Sequence, residues 1–272
     1  MTDISSPPSR YTGPVFFVGG APRSGTTVTH ALLCSSARVN AYHPEVSFIT
    51  PMIRAYTVGQ SAWDGHTQAF FAEPEHFKTH MRGLIDQSLS HVHRALNSPE
   101  LLSVKDPLMT PYFPKVLDLF GARARFVTVI RNPYDVVRSR QEVARKANQP
   151  FSPELARGIC QQYLQSYRHI DNPAFGDQLI YFRYEDLLQP EVLSQLRGFT
   201  GCADISPDNV WRERRSETGA KQSSNPWHSP KYHGAIDLSS RLSPLEAPYR
   251  EIVEAICAPL MERFAYTEVV AA

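Results

Sequence analysis

The chain has 272 residues, 42% of them hydrophobic and 20% charged, which supplies one α/β core and leaves room for at most two small domains. Its formal net charge is +1, so no global basic field exists to hold nucleic acid or an anionic membrane, and any positive charge must act locally. No apolar run approaches the length of a membrane span, and residues 1–12 have neither a basic nor an apolar leader segment and read as a disordered lead-in.

The first predicted element is the apolar run Val15-Phe-Phe-Val18, a buried strand. Gly20-Ala-Pro-Arg-Ser-Gly-Thr-Thr27 follows as a glycine-bearing loop, with a helix starting near Ser24. Such a loop points successive backbone N–H groups inward. The helix N-terminus adds about half a positive charge, and together they form an anion cradle suited to phosphate. A nucleotide-binding P-loop carries a lysine directly after its second glycine. Here Gly20 and Gly25 keep the spacing, Thr26 stands in place of the lysine, and the cation sits inside the loop as Arg23. Residues 41–60, which include Tyr42-His-Pro-Glu45, look irregular. A helix from His76 to Leu96 belongs to a helix-rich insertion, a candidate wall for a substrate cleft.

A second strand covers Leu101–Val104 and leads into Lys105-Asp-Pro107. A third, Arg125–Ile130, runs into Arg131, with Asn132 as N-cap and Pro133 at the first helical position. Ser139 lies about two helical turns further on. The basic cluster Arg138, Arg140, Arg145 and Lys146 reads as a solvated helix face. Ser152-Pro153 starts a helix running towards His169. Leu179–Phe182 is a fourth strand, followed by Tyr184, and Pro190 opens another helix. Residues 213–240 turn polar and loop-like, the composition of a lid or binding loop. Ser243-Pro-Leu-Glu246 forms a capping box for a last helix to about Phe264. Strands alternating with helices predict an α/β fold, with a P-loop-like, mainly parallel sheet flanked by helices. It forms one domain over 1–272, with its ligand at the carboxyl edge of the strands. Cys34, Cys160, Cys202 and Cys257 are far apart and suit reduced core thiols rather than a disulfide framework or a zinc site.

With these motifs the chain resembles the sulfotransferases that use 3'-phosphoadenosine 5'-phosphosulfate (PAPS). Pro22-Arg-Ser-Gly-Thr-Thr27 matches the family's phosphosulfate loop, and Arg131 with Ser139 keeps the spacing of its 3'-phosphate pair. The Pro-Arg-Ser-Gly-Thr-Thr run, Lys105-Asp-Pro107 and the Arg131-Asn132 helix start look most like tyrosylprotein sulfotransferases, and the likeness extends in order from about residue 14 to 190. It implies that Arg23, Ser24, Gly25, Thr26 and Thr27 hold the 5'-phosphosulfate, that Arg131 and Ser139 hold the 3'-phosphate, and that Tyr184 contacts the adenine. Arg23 would neutralise the leaving phosphate and Lys105 would bind the sulfuryl oxygens. Glu45 would take the acceptor's proton, with His43 as runner-up for that role. Ser223, Ser224 and Lys231, in the long polar loop, would reach over the donor, Ser223 with a catalytic role. No metal is required, because cations and loop amides meet the charge.

The implied acceptor is a tyrosine of a peptide or protein, with a small phenol, alcohol or glycan as the alternative. One departure stands out. Tyrosylprotein enzymes follow the glutamate with arginines that read acidic residues, whereas Val46-Ser-Phe-Ile-Thr50 follows here and Arg54 is the first cation. The near-neutral charge, the absence of a leader or span and the scattered cysteines, unlike the membrane-anchored, disulfide-bonded tyrosylprotein enzymes, predict a soluble, cytoplasmic, bacterial relative with no nucleic-acid or membrane partner, and leave a homodimer open. A P-loop kinase or NTPase and a non-catalytic nucleotide-binding module are the readings from other classes.

Overall fold

The computed structural model describes residues 10–211, 235–238 and 244–268. Four parallel strands form the sheet: β1 (Val15–Gly19), β2 (Leu102–Lys105), β3 (Ala124–Ile130) and β4 (Leu179–Arg183), in the order β2-β1-β3-β4. Val15 pairs with Leu102 on one side and with Ala124 on the other, and Phe126 pairs with Leu179. Because every strand runs the same way, all four carboxyl ends open on one edge. The connection leaving β1 goes to one side and that leaving β3 to the other, which creates the crevice where α/β sheets bind ligands.

The helices are α1 (Thr26–Leu33), α2 (Ile49–Ser61), α3 (Pro74–Ala95), α4 (Phe113–Phe120), α5 (Pro133–Lys146), α6 (Pro153–Tyr167), α7 (Pro190–Thr200) and α8 (Ala247–Phe264). The period-two alternation of β1 sorts them into layers. Val15 and Phe17 pack with Ile49, Ile53, Phe77, Ile85, Phe113 and Val116 from α2–α4. Phe16 and Val18 face the other way, onto Val28, Leu32 and Leu33 of α1 and Leu193 and Leu196 of α7. Both faces of β1 are therefore covered, and the strand is a continuous apolar run, as parallel sheets require. A third cluster joins α5, α6 and α8 beside the end of β3.

The parallel α/β sheet is the fold that the sequence predicts, and the strands match to within a residue or two. The irregular reading of 41–60 is corrected by α2. That helix starts at Phe48 without a side-chain cap and carries Pro51 in its first turn, where no backbone N–H is needed. Close packing holds it: a Cβ at Gly59 would lie 2.3 Å from the Phe77 ring. The capping-box start of the last helix is also corrected, since Glu246 is the N-cap of α8 and Ser243 lies outside the described residues. Residues 1–9 of the lead-in and most of the 213–240 loop lie outside them as well.

Among the described residues the four cysteines are free, with Cys34 partly exposed and the other three buried. The solvated reading of the basic cluster on α5 is corrected at Arg138. It is 4% exposed, donates to Asp135 at 3.1 Å, and is ion-paired with Glu268. A buried guanidinium needs such partners to offset its desolvation.

Candidate active site

The loop between β1 and α1 is clamped from two sides. Thr110 Oγ1 accepts the Gly20 N–H at 2.9 Å and donates back to Gly20 O at 3.1 Å. The Tyr167 hydroxyl accepts the Ala21 N–H at 3.0 Å, donates to Val129 O at 3.1 Å and lies 2.8 Å from Ser24 Oγ. Sequence reasoning missed both clamps. They sit 90 and 146 residues from their partners, so no local pattern could reveal them.

The loop backbone is unusual in two places. Gly25 has φ 93°, and a Cβ there would lie 2.2 Å from the Tyr184 ring, so only glycine fits. Arg23 has φ 76°, a left-handed conformation that costs a non-glycine residue energy and is held here by its surroundings. The N-terminus of α1 has no side-chain cap, which leaves its first-turn N–H groups aimed at the crevice without an intrahelical acceptor.

Arg131 follows β3 directly. Its Nη1 donates to Arg23 O at 3.2 Å and its guanidinium lies 4.7 Å from the centre of the Tyr184 ring. Its buried Nε has no hydrogen-bond partner. Asn132 caps α5 through the Tyr134 N–H at 3.1 Å, as the sequence predicts, and so fixes the helix that carries Ser139. Ser139 Oγ accepts the Arg23 Nε–H at 2.9 Å. The loop cation and the α5 serine are thus already in contact. Burial lowers the pKa of the Arg140 guanidinium on α5, and the positive charge of Arg23 lowers it further.

A segment after α8 braces this turn. The Tyr266 hydroxyl lies 3.0 Å from Ile130 O and 3.2 Å from Glu185 Oε2, while Glu185 Oε1 accepts the Asn132 N–H at 3.0 Å. Glu268 pairs with Arg138 and accepts the Leu245 N–H at 3.0 Å. Neither carboxylate is marked by any sequence motif.

On the β2 side, Lys105 is the last residue of its strand and 2% exposed, while Glu45 is 46% exposed. Lys105 Nζ donates to Glu45 Oε1 at 2.6 Å and to Thr27 Oγ1 at 2.9 Å. Burial alone would raise the Glu45 carboxyl. The charge and hydrogen bond of Lys105, joined by the charge of Arg23, reverse this and hold it below the ordinary carboxylate value. Glu45 is therefore an open carboxylate at neutral pH, tied by one lysine to the loop helix. His43, the runner-up base, is buried differently. Its Nδ1 lies 2.6 Å from Pro44 O and its Nε2 3.0 Å from Ser103 O, so both ring nitrogens face backbone carbonyls.

Arg23, Ser24, Gly25, Thr26, Thr27, Glu45, Lys105, Arg131, Ser139 and Tyr184 all meet at the carboxyl edge of the sheet. Ser223, Ser224 and Lys231 lie outside the described residues. The arrangement fits a phosphorylated, dianionic donor. An uncapped helix end, a glycine approach and the guanidinium groups of Arg23 and Arg131, the latter with a buried Nε that has no hydrogen-bond partner, converge there. Among the described residues no helix is long and apolar enough to cross a membrane.

Comparison with known proteins agrees with this fold. The structure is similar to the sulfotransferase domain from the curacin biosynthetic pathway, with TM-score 0.56 and 19% identity over 96% of this chain and 100% of that one. It is similar to the sulfotransferase domain of the Synechococcus PCC 7002 olefin synthase, with TM-score 0.54 and 17% identity over 97% and 98%. A sulfotransferase of Mycobacterium avium gives TM-score 0.52 and 15% identity over 98% of this chain and 79% of that one. At these identities the likeness speaks for the fold. No curated protein matches the sequence. The sequence pattern of the sulfotransferase family matches residues 14–199, from the first strand through the last turn of α7, and the chain belongs to that family of enzymes.

Proposed function

We propose that this sulfotransferase uses PAPS as donor and a phenolic hydroxyl as acceptor, with Glu45 as the general base. The donor supplies a sulfuryl group whose bond to the 5'-phosphate oxygen breaks as a bond to the acceptor oxygen forms. Positioning and charge neutralisation carry most of the catalysis in such transfers, by analogy with phosphoryl transfer. The loop amides, Arg23 and Thr27 hold the 5'-phosphate end, and Arg131 and Ser139 hold the 3'-phosphate. Lys105 neutralises charge at the transferring group, and Glu45 receives the acceptor's proton.

The observation that carries the reading is the Lys105–Glu45 contact at 2.6 Å, anchored to Thr27 at the start of α1. It sets a carboxylate and an ammonium against the anion cradle. The phenol as acceptor follows the tyrosylprotein resemblance, and a phenol of pKa about 10 lies nearer to a carboxylate base than an aliphatic hydroxyl of pKa about 16 does. The tyrosine implied by the tyrosylprotein resemblance is one such phenol.

The test incubates the protein and PAPS with tyrosine peptides, small phenols, alcohols and glycans, and scores sulfate addition by mass spectrometry. Sulfation of phenols ahead of alcohols is the expected result. Transfer to alcohols or glycans alone would remove the phenol assignment, and turnover of ATP with Mg²⁺ in place of PAPS would remove the donor.

A further inference from the structure

The acceptor must lie against the exposed side of Glu45, and the two stretches that flank the Glu45–Lys105 pair in sequence carry no charge. From Val46 to Ile53 and from Pro107 to Pro114 there is no lysine, arginine, aspartate or glutamate. Two large apolar side chains stand exposed in these stretches, Phe48 at 53% and Leu108 at 51%. Single exposed apolar residues are ordinary on protein surfaces. What sets this pair apart is how it is held.

The Glu45–Thr50 and Lys105–Leu108 segments run side by side. Val46 N–H donates to Lys105 O at 3.1 Å. Buried Asp106 then accepts the Thr50 hydroxyl at 2.5 Å through Oδ2 and the Leu108 N–H at 3.0 Å through Oδ1. Phe48 lies between the two ties on one segment, and Leu108 is itself one end of the Asp106 clamp on the other. Each is three residues from a member of the Glu45–Lys105 pair. A buried carboxylate with both oxygens engaged fixes its neighbours, and here it ties the Leu108 backbone to Thr50, two residues after Phe48.

We propose that Phe48 and Leu108 form the acceptor platform, positioned by Asp106, and that the acceptor is a small uncharged phenol with an apolar body. The proposal rests on the sulfuryl-transfer reading above. An acidic tyrosine peptide would bring negative charge to a surface whose nearest cation, Lys105, is already paired with Glu45. An apolar body would cover Phe48 and Leu108 and gain from the area removed from water.

The experiment compares kcat/KM with PAPS on three acceptors: phenol, para-pentylphenol and a tyrosine peptide flanked by aspartates. The full chain is used as wild type, F48A and L108A, with PAP affinity measured in parallel by calorimetry. The wild type prefers para-pentylphenol over phenol by at least about tenfold, as burial of several methylenes implies. Each variant narrows that preference at least about threefold, mainly through KM, while binding PAP as the wild type does. Both side chains are exposed, so the fold survives their loss. Equal kcat/KM on the two phenols, a preference unchanged in both variants, or the acidic peptide as best acceptor overturns the platform and leaves sulfuryl transfer standing. If the wild type binds PAP and sulfates none of the three, the phenol assignment falls and the platform falls with it.

Discussion

Replacing Lys105 by methionine separates the two influences on Glu45. Methionine keeps most of the volume of a side chain that is 2% exposed, so packing changes little. What is lost is one charge and one hydrogen bond at 2.6 Å. A charge-assisted hydrogen bond contributes about 1.5–3 kcal/mol where both partners are buried. Glu45 is 46% exposed, so solvent screens the pair and we take the lower limit, about 1.5 kcal/mol. Burial raises the Glu45 carboxyl and Lys105 lowers it, and in the native site the lowering wins. Without Lys105 the burial is opposed only by weaker contacts, and the carboxyl rises above its ordinary value near 4.5. A base works when deprotonated, so its rate is lost as pH falls through its pKa. The acid limb of kcat/KM therefore lies on the acid side of the ordinary carboxylate range in the wild type and moves to higher pH in K105M. Stopped assays across pH 3.5 to 7.5, roughly the span that carboxylates and histidine titrate, with far-ultraviolet circular dichroism to verify folding at each point, measure it. An acid limb at the same pH in both proteins would refute the reasoning, and a wild-type limb near pH 6.5 would transfer the base role to a histidine.

Arg131→Ala should weaken PAP at least about tenfold while barely changing affinity for adenosine 5'-phosphosulfate, which lacks the 3'-phosphate; calorimetry with both ligands decides, and equal losses count against the assignment. Tyr266→Phe removes a hydroxyl that reaches Ile130 O and Glu185, and should weaken PAP about threefold with KM for the acceptor unchanged. An unaltered PAP affinity would make this segment a stability element only. Burial lowers His169 to about 4, and its Nε2 lies 2.8 Å from the Thr128 hydroxyl. The unfolded chain therefore binds a proton that the native site refuses between about pH 6.5 and 4, and stability should fall by about 3 kcal/mol over that window. Urea unfolding of His169→Gln at several pH values should show a shallower fall, and an identical slope would exclude His169 as the source.

The strands were legible because each is a short apolar run that ends in a turn or a cap. The caps at Asn132 and Ser152 were legible because one oxygen and one following proline specify them locally. The loop at 20–27 carried its own signal in two glycines and a displaced cation. The irregular reading of α2 arose because that helix has no cap and a proline in its first turn, and its formation depends on packing against α3. Arg138 looked solvated because its partner Glu268 is 130 residues away. Thr110, Tyr167, Glu185 and Tyr266 hold the site by contacts of the same long-range kind. Glu45 and Lys105 were chosen by resemblance, and the sequence gives no sign that they touch each other or that Thr27 joins them.

The central claim is that Glu45 removes the acceptor's proton during sulfuryl transfer. It is tested most directly by single-turnover transfer from isotope-labelled PAPS to a phenol, comparing wild type with Glu45→Gln and measuring PAP affinity of both. The carboxylate faces the open side of the cleft, so PAP affinity should match within about twofold while the transfer rate falls about 10²–10⁴-fold, the usual loss on removing a general base. Transfer by Glu45→Gln at the wild-type rate would contradict the account.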